Sequence, residues 1–260
     1  MQTLPRLIPR QVTRIVAVWL PLLLPYIGHA DVQTLRVAVY DTPPLSCTDT
    51  NDRCLFDEVL RHIAGREKWR LVFISGSLQE GMERLADREV DLLLAAPYDR
   101  QLEDRYRFSK ETVLSTWAQV YVQPGEDVSS LLDLDGLVVG VKTDDPYNED
   151  IRRIIKGLDI TCQFAEFNDY PSLFEALEKK WIHAGVADRI DGATGERQFN
   201  VSPTPIIFSP RKFHFAVPIN HRSNVLTAID YHLSILKEKP NSIYHQILER
   251  IFNSNRNTRV

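Results

Sequence analysis

Apolar positions along the chain switch repeatedly between two spacings. Leu35 to Tyr40 alternates and is rich in Val, which predicts a strand, whereas Leu55, Phe56, Val59, Leu60 and Ile63 recur at helical intervals and predict a helix ended by Gly65. Leu71 to Ile74 reads as a second strand. Ser77 and Glu80 form a capping box ahead of a helix carrying Met82 and Leu85. Val90 to Ala96, polar only at Asp91, predicts a buried strand. This β-α-β-α-β order implies a parallel sheet. The pattern then repeats: a strand over Leu137 to Val141, a helix opened by Asp145 as N-cap and Pro146 at its first position, and inward Ile151, Ile154 and Ile155 up to Gly157. Ile160 to Phe167 predicts a strand that contains Cys162. Pro171 to Trp181 predicts a helix with Leu173, Phe174 and Leu177 inward, and Ala184 to Ala187 a strand. A strand over Phe213 to Val217 and amphipathic helices over Asn224 to Lys237 and Ser242 to Phe252 follow.

The first thirty residues break from this pattern. Arg6, Arg10 and Arg14 stand without an acid ahead of an apolar run from Ile15 to Ile27, and Gly28-His29-Ala30 follows. This is the layout of a secretory signal peptide cleaved after Ala30. A membrane anchor needs about 20 apolar residues, and this run is shorter and interrupted by Pro21 and Pro25. Cleavage removes three positive charges, taking the formal net charge from −4 to −7. The product is expected in the periplasm. An oxidising compartment also changes the reading of the cysteines. Cys47 and Cys54 share the polar loop CTDTNDRC, the setting of a local disulfide; a metal site is the competing idea, but no His lies nearby in sequence and no CxxC spacing occurs. Cys162 is expected to be a buried free thiol.

Composition narrows the function. With 43% hydrophobic and 25% charged residues, the chain has material for one large or two small globular domains. Its acidity and lack of a basic stripe argue against nucleic acid as a partner. No GxSxG, HExxH, GxxxxGK[ST] or GxGxxG sequence occurs, so the commonest hydrolase, metalloprotease and nucleotide signatures are absent. No cofactor is implied.

Five segments in order carry a resemblance: LRVAVYDTPPLS, LADREVDLLLAAPY, RYRFSKETVLSTWAQVYV, LLDLDGLVVGVKTDDPY and AGVADR. Together they resemble family 3 extracellular solute-binding proteins, the type II periplasmic binding fold. TPIIFSPRKFHFAVP followed by AIDYHLSILKEKPNSIYHQILERIF is similar to the periplasmic sensor version found ahead of membrane-bound histidine kinases and diguanylate cyclases. The resemblance implies an α/β protein with two lobes, parallel-type sheets flanked by helices on both faces, and a ligand cleft between the lobes. Lobe one would comprise residues 31–112 and 213–255, lobe two 115–208, and 256–260 a tail. The chain would cross between lobes near Leu114-Ser115 and Ser209-Pro210. A small-molecule ligand, a membrane permease or sensor protein as partner, and a monomeric state are also implied.

The same resemblance suggests ligand-binding residues: Asp41 and Pro44 at the end of the first strand, Tyr98 and Trp117 as aromatic walls, Lys142 and Thr143 in the turn before a helix, and Asp188 for a ligand ammonium. The sequence departs from the family in two places. Leu102 holds the position of the arginine that receives a carboxylate, with Arg100 or Arg105 as neighbouring substitutes, and Asp144-Asp145 occupies a turn that the family keeps small and open. An aspartate capping its own helix fills that anion site and repels a second carboxylate. The cleft is therefore expected to favour cations. The function implied is a non-enzymatic solute-binding protein that closes on a small amino-acid-like or amine ligand, for uptake or for presentation to a sensor. A stand-alone sensor-type domain, and a secreted dehydratase on the same fold, are the alternatives.

Overall fold

The computed structural model describes residues 32–49, 53–220 and 224–253. The predicted leader and the 256–260 tail lie outside them. Five strands and two helices build the first part of the fold: β1 (Thr34–Val39), α1 (Leu55–Glu67), β2 (Arg70–Ser75), α2 (Leu78–Ala86), β3 (Leu92–Pro97), β4 (Tyr106–Phe108) and β5 (Leu114–Val122). Next come β6 (Val138–Lys142), α3 (Pro146–Gly157), β7 (Gln163–Phe167), α4 (Tyr170–Glu178), β8 (Ala184–Asp188) and α5 (Arg189–Gln198). The long strand β9 (Ser202–Pro218) leads to α6 (Val225–Glu238) and α7 (Ile243–Asn253).

All nine strands join one sheet in the order β2-β1-β3-β9-β5-β8-β6-β7, with β4 on β9. The two predicted parallel units are its two ends: β1 runs parallel to β2 and β3, and β6 parallel to β7 and β8. Between them, β9 and β5 run antiparallel to each other, and each runs antiparallel to its outer neighbour. The strand predicted over Phe213 to Val217 is thus only the last part of a 17-residue strand. Pro203, Pro205 and Pro210 mask its start in the sequence. They are tolerated because, among the described residues, the early part of β9 pairs with β5 alone, and an edge is where a strand accommodates proline.

Alternation fills both faces. Leu35, Val37 and Val39 pack under α1, α6 and α7, while Ala38, Leu93 and Ala216 face α2 and Tyr106. In the other half, Val139, Val141, Ala184 and Val186 pack under α3, while Tyr121, Ala187 and α4 form the opposite layer. Burying each large aliphatic side chain contributes about 1.5–3 kcal/mol.

Three local expectations need correction. Gly65 does not end α1; it sits inside the helix, which closes at Lys68 in the left-handed region at φ 57°. Cys162 precedes β7 and is half-buried. Helix α4 stops at Glu178, leaving Trp181 68% exposed. Ser77 and Glu80 do form the capping box, and Cys47 and Cys54 are bonded while Cys162 is free. No helix of the described residues is long and apolar enough to cross a membrane.

Candidate functional site

Parallel strands end in a common line, so the residues that follow them lie side by side. β6 ends at Lys142 and its neighbour β8 at Asp188, each leading into a helix. The turn after β6 is held by Thr143, whose backbone N–H donates to the Phe167 carbonyl at 2.7 Å. Asp144 takes a left-handed conformation at φ 56°. Asp145 then caps α3, as its place before Pro146 predicts: Oδ1 accepts from the Tyr147 N–H at 2.7 Å and Oδ2 from the Tyr170 hydroxyl at 2.7 Å. The anion site at this helix start is filled from within. Asp188 caps α5 in the same way, Oδ1 accepting from the N–H groups of Ile190 at 2.6 Å and Asp191 at 2.9 Å.

Asp145, Asp188 and Asp191 form one electrostatic cluster. Burial raises the Asp188 carboxyl above the ordinary range, and the charge of Asp145 adds to it. Asp191 is pushed up to about 7, by burial first and then by Asp188 and Asp145, with Lys142 pulling the other way. The Lys142 ammonium lies 5.7 Å from the Tyr170 ring centre. Asp188 and Asp191, beside the charge of Asp145, favour an added cation, because a positive charge stabilises the ionised forms that burial and the neighbouring charges disfavour. Among the described residues, no group of His, Cys, Asp and Glu is placed to hold a metal ion.

The other expected residues lie apart from this cluster. Asp41 is exposed and its Oδ1 accepts from the Thr48 N–H at 3.2 Å. The Pro44 carbonyl accepts from the N–H of Leu55 at 3.0 Å. Both therefore brace the disulfide loop against α1, where buried Asp57 accepts from the Cys47 N–H and burial pushes it up to about 6. The Tyr98 hydroxyl donates to Glu103 Oε1 at 2.7 Å, and its ring packs edge-on against Phe108 beside His214. There it lines a cavity of about 530 Å³ with Lys110, Thr112 and Lys212. Trp117 stacks under the Arg189 guanidinium at 4.8 Å, and that guanidinium also covers Phe252 at 4.2 Å. Arg100 is exposed in a short 3-10 turn, and Arg105 lies over Tyr106 at 5.5 Å. Leu102 packs against the Ala38, Leu85 and Leu93 core.

Two residues of the site carried no signal. Asp191 follows Asp188 at one helical turn and was legible only as first-turn acidity. Tyr170 reaches the cluster from α4 through its bond to Asp145, and only the fold shows it.

Neither a protein-family model nor a curated protein sequence matches the chain. Solved structures do share its fold. The second substrate-binding domain of GlnP from Lactococcus lactis, in an open conformation, matches with a TM-score of 0.67 at 16% identity, over 86% of this chain and 97% of that one. The probable amino-acid ABC transporter extracellular-binding protein YtmK from Bacillus subtilis matches with a TM-score of 0.69 at 14% identity, over 86% and 100%. The GluR0 ligand-binding core of Nostoc punctiforme, in complex with L-glutamate, matches with a TM-score of 0.60 at 23% identity, over 84% and 99%. The chain has the fold of two-lobed type II periplasmic binding domains. At these identities the likeness is one of fold.

Proposed function

We propose that this chain is an exported, non-enzymatic solute-binding protein that closes on a small amine or amino-acid-like ligand and delivers it to a membrane permease. The lobes would be residues 31–112 with 213–255, and 115–208, hinged near Leu114-Ser115 and Ser209-Pro210. The left-handed Ser209 at φ 47° and the register shift between Thr116 and Ala118 support flexure there. The Cys47–Cys54 bond fits an oxidising compartment, and the leader motif fits export. Two of the neighbours in structure are named as binding proteins of amino-acid ABC transporters, which supports uptake over signalling.

One observation carries the ligand class: Asp145, Asp188 and Asp191 gather where β6 and β8 end, with the carboxyls of Asp188 and Asp191 held above their ordinary range. A carboxylate brought there unpaired costs several kcal/mol, and the position of the family arginine is given over to packing by Leu102. The dehydratase alternative needs an anchor for its acidic substrate and gains nothing from this arrangement. Calorimetric titration tests the reading. Basic amino acids or amines should bind better than glutamate or aspartate, and Asp188→Ala should weaken them more than tenfold. Tight glutamate binding that Arg100→Ala abolishes would overturn the assignment.

A further inference from the structure

Away from the acidic cluster, the cavity of about 530 Å³ beside Tyr98 is lined entirely by residues within 98–112 and 212–219. Strand alternation builds its floor. On the face of β9 where Ala216 packs with the α2 layer, His214 and Lys212 follow at every second position. His214 is 6% exposed and both its ring nitrogens are engaged, Nδ1 lying 2.8 Å from the Ser109 carbonyl oxygen and Nε2 3.2 Å from the Thr112 hydroxyl. A carbonyl only accepts, so Nδ1 carries the proton and Nε2 accepts from Thr112. Burial lowers the pKa of this imidazole, and its ring is uncharged at neutral pH. Two further rings stand against it: the centres of Tyr98 and Phe108 lie 5.5 and 6.3 Å from His214, and 5.3 Å from each other. Tyr98 is 41% exposed, so this aromatic shelf opens to solvent. Arg107, Lys110 and Lys212 stand around it, all exposed, and none has an ion-pair partner among the described residues. Glu103, the one acid among the described lining residues, is already engaged, its Oε1 accepting from the Tyr98 hydroxyl at 2.7 Å. On an acidic chain, this is a local excess of positive charge.

We infer that this cavity is a second ligand site, separate from the acidic cluster, and that it takes a small aromatic anion whose ring lies on the shelf of Tyr98, Phe108 and His214 while its charged group pairs with Lys110 and Lys212. Each half of the ligand meets a different part of the site. Ring against ring adds edge-to-face attraction to the area buried, and a carboxylate between two ammonium groups makes charge-assisted hydrogen bonds. An aliphatic acid forgoes the first, and a neutral aromatic the second. The bonds of Tyr98 to Glu103 and of His214 to Ser109 and Thr112 hold the shelf in place before a ligand arrives, so little ordering is left for binding to impose. Arg107, on β4, adds to the field that draws an anion in. None of Asp145, Asp188 and Asp191 lines this cavity.

Three probes of similar size test this by calorimetric titration: phenylacetate, its neutral analogue phenylacetamide, and its aliphatic analogue cyclohexylacetate. Phenylacetate should bind the wild-type protein about tenfold more tightly than phenylacetamide, the effect of charge-assisted bonds, and about threefold more tightly than cyclohexylacetate, the effect of the rings. Replacing both lysines, Lys110→Gln with Lys212→Gln, should abolish the first preference at an unchanged melting midpoint, because both side chains are exposed and unpaired. Tyr98→Leu should abolish the second. Asp188→Ala should leave phenylacetate affinity as it is in the wild type. Absence of phenylacetate binding, equal affinity for either analogue, a preference that survives its variant, or a phenylacetate affinity that falls in Asp188→Ala overturns the inference. The amine-binding reading is tested separately, by titration with cations, and none of these outcomes decides it.

Discussion

Gly192, in the first turns of α5, is where the packing of the second half bears most directly on Asp188. A Cβ at this position would stand 1.9 Å from the Tyr121 hydroxyl oxygen and 2.1 Å from its Cζ. Tyr121 is 1% exposed and packs at right angles on Phe174, so it has no free volume to move into. Gly192→Ala must therefore lift α5 away from β5. Overpacking of this kind costs about 1–3 kcal/mol, and the depth of the overlap places this case at the upper end. The helix regains about 1 kcal/mol from alanine over glycine. A net loss of about 2 kcal/mol corresponds to a midpoint lower by about 4–8 °C for a domain of this size. Because Asp188 caps the same helix, ligand affinity should fall with stability. Gly65→Ala is the control: its Cβ would meet nothing within 4 Å inside α1, and it should raise the midpoint by the propensity gain. Differential scanning calorimetry of both variants decides the matter. A Gly192→Ala protein as stable as Gly65→Ala would refute the packing argument, as would strict additivity of Gly192→Ala with Tyr121→Leu, since residues in contact should couple.

Other outcomes follow from the same structure. Replacing Cys47 and Cys54 by serine should destabilise by about 2–3 kcal/mol, the chain-entropy value for a small loop, and thiol titration of the denatured wild type should find one reactive group, Cys162. Asp191 and Asp57 are held above the ordinary carboxylate range, at about 7 and about 6. The folded chain therefore keeps protons that the unfolded chain releases near pH 4. The stability these groups contribute is complete below that pH and is lost as pH rises through 6 and 7. Asp191→Asn should flatten the upper part of the melting profile measured between pH 5 and 8, and a profile unchanged by the substitution would contradict the site's electrostatics. Amine affinity should move the opposite way, strengthening as pH rises through 7. Leu102→Ala should cost about 1–2 kcal/mol, below the range for a fully buried leucine because this one is only partly covered; an unchanged midpoint would show that the residue is free to be replaced by a ligand-binding side chain.

The local rules of the chain settled much of the fold. Apolar spacing placed α1, α3, α6 and the parallel strands β1, β3, β6 and β8, because each of these elements has one period and one buried face. Ser77 with Glu80, and Asp145 before Pro146, marked helix starts because a cap depends only on neighbours in sequence. The pairing of Cys47 with Cys54 was legible for the same reason. Asp188 was read at the end of β8, and both the strand end and the helix it caps are local features. The joining of the sheet's two halves was not legible. β9 carries three prolines in its early part, and its partner β5 lies some eighty residues earlier, so only the completed antiparallel pair shows that both are strands. Tertiary structure also decided which expected residues meet. Trp117 turned toward Arg189, Tyr98 toward Phe108 and His214, and Leu102 into the core, because each side chain follows the face its strand or turn presents. Arg211 and Thr116 came to lie opposite each other through strand register, and Arg211 against Tyr147 through the packing of α3, relations that no spacing within the chain encodes.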